Sequence, residues 1–250
     1  MIDAHCHLEQ KDFNPDRNEV IDSWKGKLDA VVTSCAHPRD FGLTVEIVKK
    51  HKGFVFATFG LHPEYIKELS EKEKKEYLNK VREHKDITLA IGEIGLDYHW
   101  VKEDSWRDKQ KILFREMLAF AKEIDKPVVI HSRDSTEDCI KILEEEKPKK
   151  VLMHLYGSRE YLERVDKNGW YISIGPLIAR SKNHKKIARD FPVERILLET
   201  DSPWFGNGER GTPLNIKVAA EKIAKVKDMT TDEVMKQCGE NARLFFGITK

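Results

Sequence analysis

Short apolar runs alternate with longer segments of helical periodicity along the whole chain. Eight runs predict strands, and those such as 127–131 are apolar on both faces, as parallel strands covered by helices are. The predicted strands are 1–7, 28–34, 54–60, 88–94, 127–131, 150–154, 170–174 and 195–200. The segments between and after them predict helices at 16–25, 41–51, 64–84, 105–124, 136–145, 159–168, 181–190, 214–226 and 231–246. We expect Ser70, Ser105 and Thr231 to cap three of these helices.

This alternation is typical of α/β proteins, and eight strand–helix units predict a (β/α)8 TIM barrel. A doubly wound sheet is the alternative, but no Gly-rich phosphate loop follows the first strand. Barrels of about 250 residues are commonly one domain. Because no linker or low-complexity segment interrupts the chain, we expect a single domain over 1–250.

Composition narrows the class of protein. Lys and Arg number 44 and Asp and Glu 43, so the chain lacks the positive excess of a module that coats nucleic acid. An enzyme that holds a few nucleotides with a local basic patch is compatible with this charge balance. Four scattered cysteines and no secretory signal favour a reduced, cytoplasmic location, and no apolar run reaches membrane-spanning length. Nothing in the sequence indicates a protein partner.

Polar residues recur where the apolar runs end. The active site of a TIM barrel lies at the carboxyl ends of its strands. A histidine or carboxylate closes six of the eight runs, and apolar strands have no packing reason to end in this way repeatedly. The residues at these ends are His5 and His7, His62, Glu93, His131, His154, and Glu199 with Asp201.

Four of the imidazoles and two of the carboxylates predict a metal site. His5 and His7 lie two apart and therefore on one face of a strand, where they can chelate one ion. Nitrogen and oxygen donors suit Zn²⁺ or Mn²⁺ and suit Mg²⁺ less well. Six ligands exceed what one catalytic ion needs, so two divalent ions bridged by one carboxylate are the simpler expectation.

The motifs resemble those of the TatD-type metal-dependent deoxyribonucleases, which are amidohydrolase-like barrels. The resemblance covers nearly the full length and implies a metallo-dependent hydrolase. The matching blocks are Ile2–Leu8, Gly60–Pro63, Gly92–Tyr98, Pro127–Arg133, His154 with Gly157–Ser158, Leu198–Pro203 and Asn241–Gly247. Two loops depart from the family pattern, at 155–156 and 210–213, and we expect both to lie near the substrate.

The resemblance implies a role for each site residue. His5, His7, Glu93 and Asp201 would hold one ion, and Glu93 would bridge to a second ion held by His131 and His154. In the mechanism we expect, Asp201 is the general base and acts with Glu93 at the catalytic centre.

Three further residues are expected to act around the ions. His62 would orient the substrate or protonate the leaving group, or else only bond the turn before Pro63. Arg133 would bind a phosphate, or else pair with Glu93 or Asp134, and Glu199 would support a ligand or a loop near the substrate. Tyr98, Trp100 and Trp204 can stack on bases, although packing is the commoner role of such aromatic residues.

The expected activity is hydrolysis of DNA phosphodiester bonds, in the manner of an exonuclease. An ester hydrolase acting on aminoacyl-RNA and a C–N amidohydrolase remain open, and so does a non-catalytic binding protein. Many amidohydrolases bridge their metals with a modified lysine on strand four, whereas this strand carries Glu93 and no lysine between Leu89 and Tyr98. This difference favours the nuclease.

Overall fold

Eight parallel strands form one sheet in chain order in the computed structural model, which describes residues 1–206 and 208–249. The strands are β1 (Ile2–Cys6), β2 (Ala30–Cys35), β3 (Val55–Phe59), β4 (Thr88–Asp97), β5 (Val128–Arg133), β6 (Val151–Met153), β7 (Tyr171–Ile174) and β8 (Ile196–Leu198). The α-helices are α1 (Arg17–Trp24), α2 (Phe41–Lys50), α3 (Glu71–Glu83), α4 (Asp104–Glu123), α5 (Thr136–Glu146), α6 (Leu162–Lys167), α7 (Lys182–Asp190), α8 (Ile216–Lys227) and α9 (Thr231–Phe246). The predicted TIM barrel is confirmed.

Backbone hydrogen bonds between the ends of β1 and β8 close the barrel. The His7 amide donates to the Ser202 carbonyl over 2.7 Å, and the Asp201 amide donates to the His5 carbonyl over 3.0 Å. The first and last strands are therefore joined at the residues that carry the predicted metal ligands.

Apolar side chains pack on both faces of the strands. The larger cluster packs the outward side chains of the strands against the helices. A smaller cluster lies within the barrel and against the end of α9; its buried members are Ile2, Ala4, Ala30, Val32, Ala90, Val129, Leu152, Leu197, Ala242, Phe245, Phe246 and Ile248. Because α9 covers the amino-terminal end of the barrel, the open end is the one where the strands finish.

Irregular register in two strands turns the polar residues inward. The pairing of β1 with β2 shifts between Asp3 and Cys6, and that of β4 with β5 shifts between Ile91 and Ile94. Such bulges re-aim side chains. Ala4 and Ala90 belong to the inner cluster, and beyond each shift His5 and Glu93 also face inward.

Some predicted element boundaries were wrong. The helix expected at 64–84 is divided into a 3₁₀ turn at Pro63–Lys67 and α3, because Ser70 caps α3 and forms a capping box with Glu73. Thr230, rather than Thr231, caps α9, and Glu103 rather than Ser105 precedes α4. In the described part of the chain, no helix combines the length and apolar character that crossing a membrane requires.

Candidate metal centre

One carboxylate oxygen of Glu93 lies among three other donor atoms where the ends of β1 and β8 meet. Glu93 Oε1 is 3.3 Å from the Nε2 atoms of both His5 and His7. Those two nitrogens are 3.2 Å apart, and Asp201 Oδ1 is 3.2 Å from His7 Nε2 and 3.7 Å from His5 Nε2. We call these four residues the Oε1 side of the centre.

These separations fit one bound ion. Ligands placed about 2.1 Å from a tetrahedral ion lie about 3.4 Å from one another. Glu93 Oε1 is also buried and has no hydrogen-bond partner among the described residues. An unpartnered buried carboxylate oxygen is costly, and a cation among these donors would remove that cost.

The other oxygen of Glu93 faces a second group of histidines. Glu93 Oε2 is 3.4 Å from His154 Nε2, 3.7 Å from His131 Nδ1 and 3.8 Å from His62 Nε2. We call this group, with Glu93, the Oε2 side. The two oxygens of a single side chain thus face separate sets of imidazoles.

Carboxylates behind three of these histidines determine which ring nitrogen is free. His7 Nδ1 lies 3.2 Å from Glu9, and His154 Nδ1 lies 3.1 Å from Glu199. His131 Nε2 lies 2.9 Å from Asp97. Because a carboxylate accepts hydrogen bonds, each of these nitrogens is a donor, and the other ring nitrogen faces Glu93, where it can ligate an ion once it carries no proton.

Glu9 and Asp97 were not assigned in the sequence analysis. The signal was present in their spacing, since Glu9 follows His7 by two residues and Asp97 lies on β4 four residues after Glu93. Glu9 is fixed further by a 3.0 Å hydrogen bond from Thr33 on β2. Sequence order does not reveal that contact, because it joins two strands.

The pKa shifts of the histidines indicate that carboxylates dominate the charge of the cluster. Burial alone would lower the pKa of His154, but the charges of Glu199 and Glu93 raise it to about 9. Burial likewise opposes protonation of His7, yet hydrogen bonds to Asp201 and Glu9 raise its pKa well above the usual value. Burial alone would raise the pKa of Glu93, whereas His5 and His154 lower it. A divalent cation would satisfy the same carboxylates that here attract protons.

His62 has a different protonation pattern. Its Nδ1 accepts a 3.2 Å hydrogen bond from the Glu64 amide, so its Nε2 carries the proton. Burial, followed by the charge of His131, lowers the pKa of His62 to about 3. A neutral imidazole with an Nε2–H donor suits contact with a substrate oxygen better than metal ligation. The bond from the Glu64 amide is the structural hydrogen bond expected at this turn. Because it uses only Nδ1, it leaves Nε2 free for the expected contact with substrate.

Arg133, Trp100 and Trp204 lie farther out in a cavity of about 570 Å³ above the cluster. The guanidinium of Arg133 lies 5.3 Å from the ring centre of Trp100 and forms no ion pair with Glu93 or Asp134 among the described residues. Trp204 is 47% exposed, and its ring lies 4.8 Å from that of His7. Tyr98 instead donates a 2.7 Å hydrogen bond to Asp138 and has a structural role.

The two loops that depart from the family pattern have different positions. Leu155 lines the cavity next to His154. Arg210 is held away by Asp16, whose carboxylate oxygens accept hydrogen bonds of 2.6 and 2.7 Å. The Arg210 side chain therefore supports the fold of its loop.

The barrel and this cluster of imidazoles and carboxylates at its mouth define a metal-dependent hydrolase. Comparison with known proteins identifies the family: the model of the TatD related DNases matches residues 2–247, and the chain belongs to this family. The class predicted from the sequence is confirmed.

Two relatives show how far the similarity extends. The chain is 34% identical over 258 residues to the uncharacterized metal-dependent hydrolase YabD of Bacillus subtilis, with 99% of each protein covered. It is 32% identical over 259 residues to the human deoxyribonuclease TATDN3, covering 98% of this chain and 94% of that protein.

A solved structure shows the same fold. YJJV, a TatD homolog from Escherichia coli K12, superimposes with a TM-score of 0.91 at 23% identity and covers 100% of this chain and 98% of its own. At this level of identity the match demonstrates the shared barrel.

Proposed function

We propose that this protein is a two-metal deoxyribonuclease that hydrolyses phosphodiester bonds at the end of a DNA strand. One observation carries the proposal: the two oxygens of buried Glu93 face two groups of imidazoles at 3.3 to 3.8 Å. Paired ions bridged by a carboxylate are typical of enzymes that break phosphodiester bonds. Family membership and the name of the human relative support the same substrate class.

The donor set suggests which residues would hold the ions. His5, His7, Glu93 and Asp201 would hold one ion, and Glu93, His131 and His154 the other. Four imidazoles favour Zn²⁺ or Mn²⁺ over Mg²⁺. When bound, such ions lower the pKa of water and stabilise charge on phosphate oxygens.

Protein groups would position the substrate and move the proton. Asp201 is partly open to the cavity and is the candidate to hold the proton taken from the attacking water. His62 Nε2–H would donate to a substrate oxygen, and Arg133 would place two N–H groups on a phosphate. Glu199 would hold His154 in the orientation that presents Nε2.

The shape of the site favours a strand end. The cavity of about 570 Å³ has the size of a small-molecule pocket. Its floor is the cluster itself, and the barrel below is filled by apolar side chains. A substrate must therefore enter from the mouth, which suits a terminal nucleotide better than the middle of a duplex.

The test is to remove metal from the purified protein and add back Zn²⁺, Mn²⁺ or Mg²⁺ singly. Single-stranded DNA labelled at either end, aminoacyl-RNA and a cyclic amide would be assayed in parallel. We expect metal-dependent loss of nucleotides from one DNA end and no cleavage by Asp201→Asn, with its fold unchanged by circular dichroism. Hydrolysis of only the RNA ester or only the amide would replace the proposal with the corresponding alternative.

A further inference from the structure

A basic segment adjoins the mouth of the barrel. Between Gly175 and Arg189 the chain has five cationic side chains and no carboxylate, although the whole protein is nearly neutral. We call four of these side chains the basic stripe: Arg180, Lys182, Lys185 and Lys186. Lys182 and Lys186 are four residues apart on α7, so they lie on one face of the helix with Lys185 beside them.

The basic stripe continues from the cavity wall. Leu177 precedes the basic stripe in the sequence and His184 lies within it, and both line the cavity. The Asn183 side chain donates a 2.6 Å hydrogen bond to the carbonyl of Gly157, another residue of the cavity wall. The start of α7 is thus fixed at the rim, and Lys182 and Lys186, each two residues from His184, lie on the outer face of the helix.

Charges next to the basic stripe do not neutralise it. Among the described residues none of its four side chains forms an ion pair, whereas Lys141 on α5 and Lys167 on α6 each pair with a glutamate one turn away. Asp190, at the far end of α7, is held by Arg159 and Arg189.

The cations on the other side of α7 are paired. The groove between α6 and α7 includes Glu163, Asp166 and Asp190, which pair with Lys167, Arg195 and Arg159. A polyanion that leaves the cavity would therefore be attracted to the basic stripe rather than to this groove.

We propose that the basic stripe binds the phosphate backbone of the nucleic-acid strand whose end occupies the cavity. The proposal rests on the proposed function and deepens it, because it makes the substrate a polynucleotide rather than a dinucleotide. Cationic grooves that follow a backbone are the usual electrostatic part of single-strand binding. The basic stripe would add affinity without contacting the scissile bond.

The test compares strand lengths. In the variant Lys182→Gln/Lys185→Gln/Lys186→Gln, we expect the KM for a 20-nucleotide single strand to rise about tenfold, with kcat and the KM for a dinucleotide unchanged. Three lost phosphate contacts should also reduce the slope of log K against log salt by about 2. The matched control is Lys49→Gln/Lys50→Gln/Lys52→Gln, which removes equal charge from exposed residues at the opposite end of the barrel.

A binding measurement distinguishes this proposal from the proposed function. Fluorescence anisotropy of a labelled 20-nucleotide strand in the presence of chelator measures affinity without cleavage. A tenfold loss in the α7 variant alone supports the basic stripe even if another bond proves to be the one hydrolysed. Equal losses in both variants, or an equal rise in KM for the dinucleotide, would overturn the proposal.

Discussion

The two sides of Glu93 differ in how their imidazoles are supplied and in how open those imidazoles are. On the Oε1 side, the imidazoles of His5 and His7 come from the end of one strand, and their side chains are 1% and 5% exposed. On the Oε2 side, the imidazoles come from the ends of three strands, and their side chains are 5% to 15% exposed. The distances from these imidazoles to Glu93 are also longer, at 3.4 to 3.8 Å. The same carboxylate therefore faces a compact pair of imidazoles and a more open group of three.

This difference suggests that the two ions of the proposed centre would have different tasks. A rigid, buried donor set holds an ion tightly because little reorganisation is needed. A looser set that opens onto the cavity can adjust as substrate binds. We expect the Oε1 side to retain its ion through purification and the Oε2 side to exchange its ion readily.

The largest effect should come from removing what the two sides share. Glu93→Gln takes away the negative charge between the two groups of imidazoles, so we expect both ions to bind weakly. Activity on DNA should fall by at least about 10³-fold, the upper end of what one stabilising group contributes to catalysis. Metal content by mass spectrometry and kcat measure the two effects. The control Glu64→Gln removes another cavity carboxylate and should retain both ions.

Substitution of one histidine on each side should distinguish the affinities of the two proposed ions. His131→Gln should leave about one ion per chain after gel filtration, whereas His7→Gln should leave less than one. We expect each change to reduce kcat by about 10²-fold or more, because each removes a proposed ligand of a catalytic ion. Equal metal content in the two variants would contradict the unequal affinities.

A change in backbone packing should affect the Oε2 side alone. Gly95 on β4 has a φ of 140°, and a Cβ there would overlap the carbonyl oxygen of His131. Gly95→Ala must displace β5, and a shift of about 1 Å near a catalytic group can cost about 10²-fold in rate. Gly53→Ala is the control, since it also has positive φ but no atom within 4 Å of the new Cβ. Loss of activity without loss of the tightly held ion is the expected result.

The smallest effects should come from the supporting carboxylates. Glu9→Gln and Asp97→Asn leave every ligand in place but weaken the hydrogen bonds that orient His7 and His131. Such changes reduce metal affinity by about 10- to 100-fold. Titration with a competing chelator should show the loss for the tightly held ion in the first variant and for the exchanging ion in the second. The reverse assignment would contradict the division into two sides.

Residue type and order predicted the barrel and the cluster because both follow from local rules. Strand ends meet at one mouth in any parallel barrel, so His131 and His154 could be placed together without coordinates. Glu9 and Asp97 were missed because their partners are defined by ring orientation, which depends on packing between strands. The register shifts before His5 and Glu93 were also not evident, since strict alternation offers no sign of where a bulge falls.

The bonds that join β1 to β8 also have a consequence for biosynthesis. His5 leaves the ribosome almost 200 residues before Asp201, and the helix that covers the barrel floor comes later still. Contacts so distant in sequence form late in folding. A nascent chain would therefore carry His5 and His7 without their partner Asp201 until β8 has been made. In the proposed two-metal centre, the Oε1 side would gain its full set of donors only after the ends of β1 and β8 have joined, which would couple metal loading to the completed fold.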